Sequence, residues 1–160
     1  MKLTFLIILS IFSCLLIGQE NYYPQNYFRS PMDIPIYLAG NFGELRTNHF
    51  HAGIDIKTQG VEGKKIYAVA DGYVSRIKVQ HGGYGKVVYI DHPNGYTTAY
   101  AHLKEFSSKI DSFAKKEQYK NQSFTFNWYP EPNQIPVKKG EVIALSGNTG
   151  RSGGPHLHYE

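Results

Sequence analysis

Two short stretches of the 160-residue chain hold side chains whose types and spacing could support catalysis. The stretch "HLHYE" places His156 and His158 two residues apart, so on a β-strand both imidazoles would project from one face, about 7 Å apart. The stretch "HAGIDI" places His51 and Asp55 four residues apart, and Gly53 between them could bend the chain and bring the two side chains together. An isolated H-x-H pair is more typical of surface histidines on an edge strand than of a metal site, so the two stretches have to be interpreted together.

Two imidazoles and one carboxylate are a common ligand set for catalytic zinc, with the fourth coordination position left for water. His51, Asp55 and His158 would supply this set. The three ligands carry one negative charge, so a bound Zn²⁺ would keep a net charge of about +1 and lower the pKa of its water toward about 7. The sequence has a single cysteine, Cys14, which excludes a closed structural site made of several thiolates.

Hydrolysis also needs a base near the water and a group that stabilises the developing oxyanion. His102, which ends the run "YAHL", and His156 are the imidazoles that remain for these tasks. His81 and His92 lie in turn-like contexts that are typical of solvated or packed histidines. A groove-lining role stays open for a further set of residues: His49, Tyr84, Tyr96 and Tyr100.

The elements that must position these residues are mostly short β-strands. The runs "KIYAVA", "GYVSRIKVQ", "KVVYIDH" and "YTTAYAHL" are rich in β-branched and aromatic residues, and the turn signals "DG", "HGGYG" and "PNG" separate them. This pattern predicts antiparallel hairpins, with "IPIYLAG" before them and "GEVIALSG" and "HLHYE" after them. Within "GYVSRIKV", strict alternation would place Tyr73, Ser75 and Ile77 on one face and Val74 on the other.

One segment breaks the strand pattern. Leu103, Phe106, Ile110 and Phe113 recur at helical spacing and predict a helix over about residues 108–119. The stretch "SFTFNWYPEPNQIP", with three prolines, follows and is predicted to be a strand or a loop. Residues 104–136 are therefore predicted to be a helix-loop segment inserted between two parts of the sheet. The predicted fold class is therefore mainly β: an antiparallel sheet or sandwich with an active-site groove and one inserted helix-loop segment.

Composition narrows the class of protein. The formal net charge of +4 comes with no dense Lys/Arg block, which argues against nucleic-acid binding.

Residues 1–19 combine Lys2, an apolar run over residues 3–17 and small polar residues, and are predicted to be a secretory signal peptide. The run is shorter than the roughly 20 residues of a spanning helix, so no stable membrane span is expected after cleavage. Two alternatives stay open: an uncleaved anchor, and a lipoprotein signal in which Cys14 is lipidated.

Residues 20–33 are predicted to be an extended lead-in, and residues 34–160 to be one catalytic domain. Across this domain the order, spacing and glycine placement of four motifs resemble the lysostaphin/LytM-type zinc metalloendopeptidases of bacterial cell walls. The motifs are "HAGIDI", "AVADGYV", "GGYGKVVYIDHPNGYTTAYAHL" and "VKKGEVIALSGNTGRSGGPHLHYE". The resemblance covers about residues 34–160, apart from residues 104–136, where this chain is longer than the simplest members.

The resemblance implies one zinc ion bound by His51, Asp55 and His158. His156 would be the general base, and His102 would orient the water or stabilise the tetrahedral intermediate. The implied substrates are peptide cross-links or cross-bridges of peptidoglycan, in the periplasm or cell envelope. The alternative is a non-hydrolytic module that keeps the zinc site and binds the cell wall or activates another hydrolase; a cell-envelope activator is a further expected partner. Because relatives continue past the residue that corresponds to Glu160, we expect the domain to be truncated at its C-terminus.

Overall fold

The computed structural model describes residues 25–160. Regular secondary structure in this range consists of β-strands and one helix, α1, which spans Ser108–Asn121. The strands are β1 (Leu38–Gly40), β2 (Ile54–Lys57), β3 (Lys65–Tyr67), β4 (Gly72–Val79), β5 (Lys86–Asp91), β6 (Thr97–Ala101), β7 (Leu103–Phe106), β8 (Phe126–Trp128), β9 (Pro136–Val137), β10 (Val142–Ser146) and β11 (His156–Tyr159).

The described strands form two antiparallel sheets. The larger sheet has the order β1-β2-β11-β6-β5-β4-β8, and β9 also pairs with β4; the smaller sheet has the order β3-β10-β7. β11, the last strand along the chain, lies between β2 and β6, so the C-terminal "HLHY" run is an inner strand of the large sheet. The mainly β, antiparallel fold class predicted from the turn signals is confirmed.

The hairpin strands β4, β5 and β6 are consecutive in the sheet, as the short turns predicted, but β4 does not alternate strictly. Val74 pairs with Ile90 and Arg76 pairs with Tyr89, which leaves Ser75 as an extra residue in a β-bulge. Val74 and Ile77 are both fully buried as a result. The prediction that they lie on opposite faces is therefore wrong, because the bulge shifts the alternation by one residue.

The core contains large aliphatic side chains from both sheets, among them Ile66, Ile90, Ile143 and Leu157, all of which are fully buried. The burial of Leu157 gives β11 one face in the core, so that His156 and His158 are directed away from it. This orientation is the one that the H-x-H spacing predicted.

The helix predicted over about residues 108–119 is confirmed, but Leu103 and Phe106, which contributed to the apolar spacing, lie on strand β7. The helix buries Ile110 and Ala114, and Phe113 stacks on Trp128 of β8 with ring centroids 6.0 Å apart. β8 ends the strand order at the side opposite to β1 and β2. β8 of the inserted segment, with the helix residue Phe113 packed on it, therefore lies at the side of the large sheet remote from the "HAGIDI" strand. Residues 104–106 of the segment belong to β7 in the smaller sheet.

The predictions for the N-terminus fall mostly outside the described residues. The signal peptide, residues 1–19, and the lipidation alternative at Cys14 lie there entirely. Residues 25–33 of the predicted lead-in form turns and bends; Met32 is buried in the core, and the Arg29 guanidinium lies 4.3 Å from the ring centroid of Tyr67. Across residues 25–160, the helix is too short and too polar to cross a membrane.

Candidate metal centre and active-site groove

Three side chains from "HAGIDI" and "HLHYE" converge on one point. β2 and β11 pair in a register that sets Asp55 opposite His158, and His51 precedes β2 in the chain. His51 Nε2 lies 3.0 Å from Asp55 Oδ1 and 3.0 Å from His158 Nδ1, and these last two atoms are 2.9 Å apart. The structure therefore brings the predicted ligand set together as a compact triangle of donor atoms.

A bend at Gly53 makes the triangle possible. In a fully extended strand, residues four apart would be about 13 Å from one another, which is too far for His51 to meet Asp55. A Cβ at Gly53 would overlap with the backbone carbonyl of Tyr159, so only glycine lets this part of the chain pass so close to β11.

The ring nitrogens of His51 and His158 that point away from the triangle both have hydrogen-bond partners. His51 Nδ1 donates a hydrogen bond to the carbonyl of Asn41 at 2.7 Å, and His158 Nε2 donates to Glu160 Oε1 at 2.9 Å. In the neutral rings, the nitrogens that face each other across the triangle then carry lone pairs. Two lone pairs and a carboxylate oxygen in van der Waals contact are stable only around a cation or a proton.

The donor set fits zinc. Zn–N and Zn–O bonds of about 2.0–2.1 Å at tetrahedral angles place the ligand atoms about 3.3 Å apart, close to the separations in the triangle. The outer partners Asn41 and Glu160 fix the ring orientations, as such partners do in zinc sites. Without a metal, burial would lower the pKa of His158, but the hydrogen bonds to Asp55 and Glu160 outweigh it and raise that pKa to about 9. The cluster therefore attracts positive charge.

Arg46 and Glu44 complete the surroundings of Asp55. Burial alone would raise the pKa of Asp55, but hydrogen bonds from His156 and His158 lower it well below its usual value, so the group is a carboxylate. Its second oxygen, Oδ2, accepts a hydrogen bond from Arg46 Nη2 at 3.0 Å, and the same Nη2 lies 2.9 Å from Glu44 Oε2. A Cβ at Gly40 would overlap with both Arg46 and Asp55, so glycine is required there as well.

His102 and His156 lie beside the triangle, with ring centroids 4.7 Å apart. Main-chain carbonyls hold both rings: His156 Nδ1 donates to Gly154 at 2.8 Å, and His102 Nδ1 donates to Thr149 at 2.8 Å. The Nε2 atom of each ring is left for chemistry, and that of His156 lies 3.5 Å from Asp55 Oδ1. His102 adopts a left-handed backbone conformation, φ 58°, between β6 and β7, which a non-glycine residue adopts at a cost of about 1 kcal/mol or more.

The two rings differ in their affinity for a proton. Burial, together with the nearby His156 and His158, lowers the pKa of His102 to about 4, so this ring is neutral at physiological pH. Burial also opposes a charge on His156, but the hydrogen bonds to Asp55 and Gly154 outweigh it and raise the pKa of His156. His102 is therefore a neutral hydrogen-bond acceptor, whereas His156 holds a proton more readily than an ordinary histidine.

These groups open into one groove of about 770 Å³, which we call the active-site groove. Residues 45–49 line one wall, the loop 151–155 lines another, and Tyr84 and the four clustered histidines lie between them. No residue of the inserted segment, 104–136, is among those that line it. The inserted segment therefore does not cover the groove.

The remaining histidines and tyrosines that the sequence singled out fall into two groups: those that line the groove and those that lie elsewhere. His49 and Tyr84 line the groove, and the Tyr84 hydroxyl donates a hydrogen bond to Glu160, the partner of His158. The others lie elsewhere: His81 stacks on Phe124, His92 is buried and bonded to Thr98, Tyr100 is fully buried, and Tyr96 lines a separate cleft.

Sequence reasoning missed Arg46, Glu44, Asn41 and Glu160. Glu160 had a detectable signal, because it lies two residues after His158, just past the end of β11, where an extended chain directs both side chains to the same side. The other three lie in the connection between β1 and β2, whose path no local pattern specifies.

Comparison with known proteins identifies the family. The model of peptidase family M23 matches residues 49–119. The chain is 40% identical over 116 residues to DD-carboxypeptidase/endopeptidase Mpg of Neisseria meningitidis, which covers 72% of this chain and 21% of Mpg. It is 35% identical over 138 residues to peptidoglycan DD-endopeptidase ShyA of Vibrio cholerae, which covers 82% of this chain and 26% of ShyA. The chain therefore spans about a quarter of the length of these relatives.

The fold has a matching solved structure. A zinc containing peptidase from Vibrio cholerae superposes with a TM-score of 0.60 at 27% sequence identity, over 85% of this chain and 36% of that one. The sequence match and the fold agree with the lysostaphin/LytM-type resemblance that the motifs indicated. The chain belongs to peptidase family M23.

Proposed function

We propose that this domain is an exported zinc endopeptidase that hydrolyses peptide cross-links or cross-bridges of bacterial peptidoglycan. The observation that carries the proposal is the triangle of His51, Asp55 and His158 donor atoms, 2.9–3.0 Å apart. Beside it lie two further imidazoles, each fixed through its Nδ1 atom to a main-chain carbonyl. Two kinds of relative support it: ShyA is named a peptidoglycan DD-endopeptidase, and the solved Vibrio cholerae structure is a zinc containing peptidase.

His51, Asp55 and His158 would hold the metal. When bound there, zinc supplies a Lewis acid for the scissile carbonyl and an acidified water. Asn41 and Glu160 hold the orientation of the two imidazoles, and Arg46 holds that of Asp55, so the site needs little rearrangement when it is loaded.

His156 is the residue that would take the proton of the attacking water. Its Nδ1 is fixed to the Gly154 carbonyl, so Nε2, on the side of Asp55, is the nitrogen that exchanges protons. Because its pKa is raised, the protonated ring persists long enough to deliver that proton to the leaving amine.

His102 fits one of its two predicted roles better than the other. Its ring is neutral and its Nδ1 proton is donated to the Thr149 carbonyl, so its Nε2 can only accept a hydrogen bond. An acceptor can orient a water molecule, whereas stabilising an oxyanion needs a donor. We therefore assign His102 to orienting the water.

The test is digestion of purified peptidoglycan by the zinc-loaded domain, with mass spectrometry of the released fragments. We expect new peptide termini that disappear when a chelator is added and return when zinc is restored. Full zinc occupancy without any cleaved peptide bond would contradict the proposal and favour the non-hydrolytic module that binds the wall or activates another hydrolase.

The proposed partners and location follow from this activity. The substrate is the peptide part of peptidoglycan, which lies in the cell envelope, so the protein would act in the periplasm or at the wall. We also propose a cell-envelope activator protein as a partner. Pull-down from envelope fractions with the zinc-loaded domain, followed by reconstitution with the purified candidate, would test this.

A further inference from the structure

The charges that line the active-site groove are unequal. Asp55 is the one carboxylate among the described residues that line it, whereas two guanidinium groups, those of Arg46 and Arg151, do so. Asp55 is neutralised by the imidazoles and by Arg46, and Arg46 is paired with Glu44 as well. Arg151 is therefore the one guanidinium among the described lining residues that no carboxylate pairs with.

Arg151 is exposed, and within residues 25–160 its guanidinium makes no hydrogen bond or ion pair with the protein. Its backbone is well held, because its N–H donates to the carbonyl of Gly83 at 2.8 Å. A Cβ at the preceding Gly150 would overlap with the backbone of residues 83–85, so the two loops pack in direct contact. The loop thus presents an uncommitted guanidinium from a fixed main chain.

The position of Arg151 in the loop places it next to the reacting groups. Thr149, two residues earlier, anchors His102 through its carbonyl. Gly154, three residues later, anchors His156, and Ser152 Oγ lies 3.2 Å from His156 Nδ1. Along the chain, Arg151 therefore lies between the residues that anchor the two imidazoles, and it lines the groove that holds them.

A guanidinium binds planar anions through paired N–H donors, and carboxylate is the planar anion that a peptide can present. We propose that Arg151 makes the groove selective for peptides that carry a free carboxylate close to the scissile amide. This inference rests on the proposed function, because it names the substrate class of the same site. The unpaired positive charge of Arg151 also disfavours peptides that carry a cationic group at that point.

The experiment compares two forms of one substrate. Purified peptidoglycan is treated with carbodiimide and ammonium, which converts free carboxylates to carboxamides, and a second portion is mock-treated. We expect the zinc-loaded wild-type domain to cleave the native form with a kcat/KM roughly 10- to 100-fold higher, the effect of one charged hydrogen-bonded contact. The difference should appear mainly in KM and shrink as salt is raised, because exposed charges are screened.

Substitutions assign the selectivity to Arg151. We expect Arg151→Gln to cleave native and amidated substrate at similar, low efficiency, and Arg151→Lys to recover part of the preference, since it keeps the charge but not the paired donors. Arg76→Gln is the matched control: that guanidinium bonds Asn127 at 2.8 Å and lies outside the groove, so the preference should be unchanged. A purely structural role of Arg151 would lower both activities equally and leave the ratio intact.

The outcomes separate this inference from the function on which it depends. Equal cleavage of both substrate forms by the wild type, or a full preference for the native form in Arg151→Gln, would overturn the inference and leave the endopeptidase intact. Failure of the zinc-loaded wild type to cleave either form would instead count against the proposed function itself.

Discussion

Arg46 donates to the Oδ2 atom of Asp55 at 3.0 Å, on the side of the carboxylate opposite to the oxygen that meets His51 and His158. The two oxygens of Asp55 therefore have separate partners. With Oδ2 held by a guanidinium, Asp55 is restricted to binding a metal through Oδ1 alone. Glu44, 2.9 Å from the same Nη2, keeps the guanidinium in place.

Arg46→Ala should weaken zinc binding, because Oδ2 loses its partner and Asp55 becomes free to rotate. Loss of such outer partners lowers metal affinity by roughly 10- to 100-fold in zinc sites. Competition with a chromophoric chelator measures the affinity directly, and Arg46→Lys should retain part of it. Arg76→Ala is the control, because Arg76 lies on β4 and bonds Asn127 instead. Unchanged zinc affinity in Arg46→Ala would show that the contact does not position the ligand.

Gly40→Ala should damage the same site through packing. A Cβ at this position would overlap with the Arg46 guanidinium and the Asp55 carboxylate, so β1 or both side chains must move. We expect a lower thermal midpoint and weaker zinc binding, with a loss of about 1–3 kcal/mol in unfolding free energy. Gly82→Ala is a suited control, because a Cβ there meets no atom within 4 Å. Equal midpoints for the two variants would contradict the steric argument.

His156→Ala and His158→Ala should separate catalysis from metal binding. His158 supplies a donor atom of the triangle, whereas His156 Nε2 lies outside it, 3.5 Å from Asp55 Oδ1. We expect His156→Ala to keep stoichiometric zinc and lose a factor of about 10²–10⁴ in hydrolysis, the usual contribution of a general base. His158→Ala should lose the zinc. Metal analysis after dialysis, alongside peptidoglycan digestion, distinguishes them; zinc loss in His156→Ala would mean that base and ligand had been exchanged.

Much of this site follows from the sequence, since strand and turn chemistry are local. The H-x-H spacing and a buried Leu157 specify which way His156 and His158 project, and the apolar spacing specifies helix α1. The bulge at Ser75 was not predictable, because one extra residue is set by pairing with β5 and leaves the composition of β4 unchanged. Arg46 was not predictable for a related reason: its contact depends on the path of the connection before β2.

Zinc affinity should rise with pH, because zinc competes with a proton on His158. In the metal-free domain the pKa of His158 is about 9, raised from 6.5 by Asp55 and Glu160 against the effect of burial. Below pH 9 this proton has to leave when zinc binds, so the apparent association constant should increase about tenfold per pH unit and level off above that value. Chelator competition from pH 6 to pH 10 gives the profile, and calorimetry in buffers of different ionisation enthalpy counts the released proton. An affinity independent of pH between 7 and 9 would contradict this assignment.

The same shift predicts that pH affects the stability of the metal-free domain and of the zinc-loaded domain differently. A pKa that folding raises contributes stability that is fully present below the unfolded value, 6.5, and is lost as pH rises through about 9. The metal-free domain should therefore lose stability between pH 6.5 and 9, whereas in saturating zinc His158 binds the metal without its proton and this loss disappears. At acidic pH, His102 has the reverse effect, because folding lowers its pKa from 6.5 to about 4. Between these pH values the unfolded chain protonates His102 and the folded domain does not, so stability falls as pH drops from 6.5 to 4. Thermal midpoints with and without zinc should consequently diverge as pH rises from 6.5 to 9, and midpoints that stay parallel across this window would show that His158 does not hold the proton.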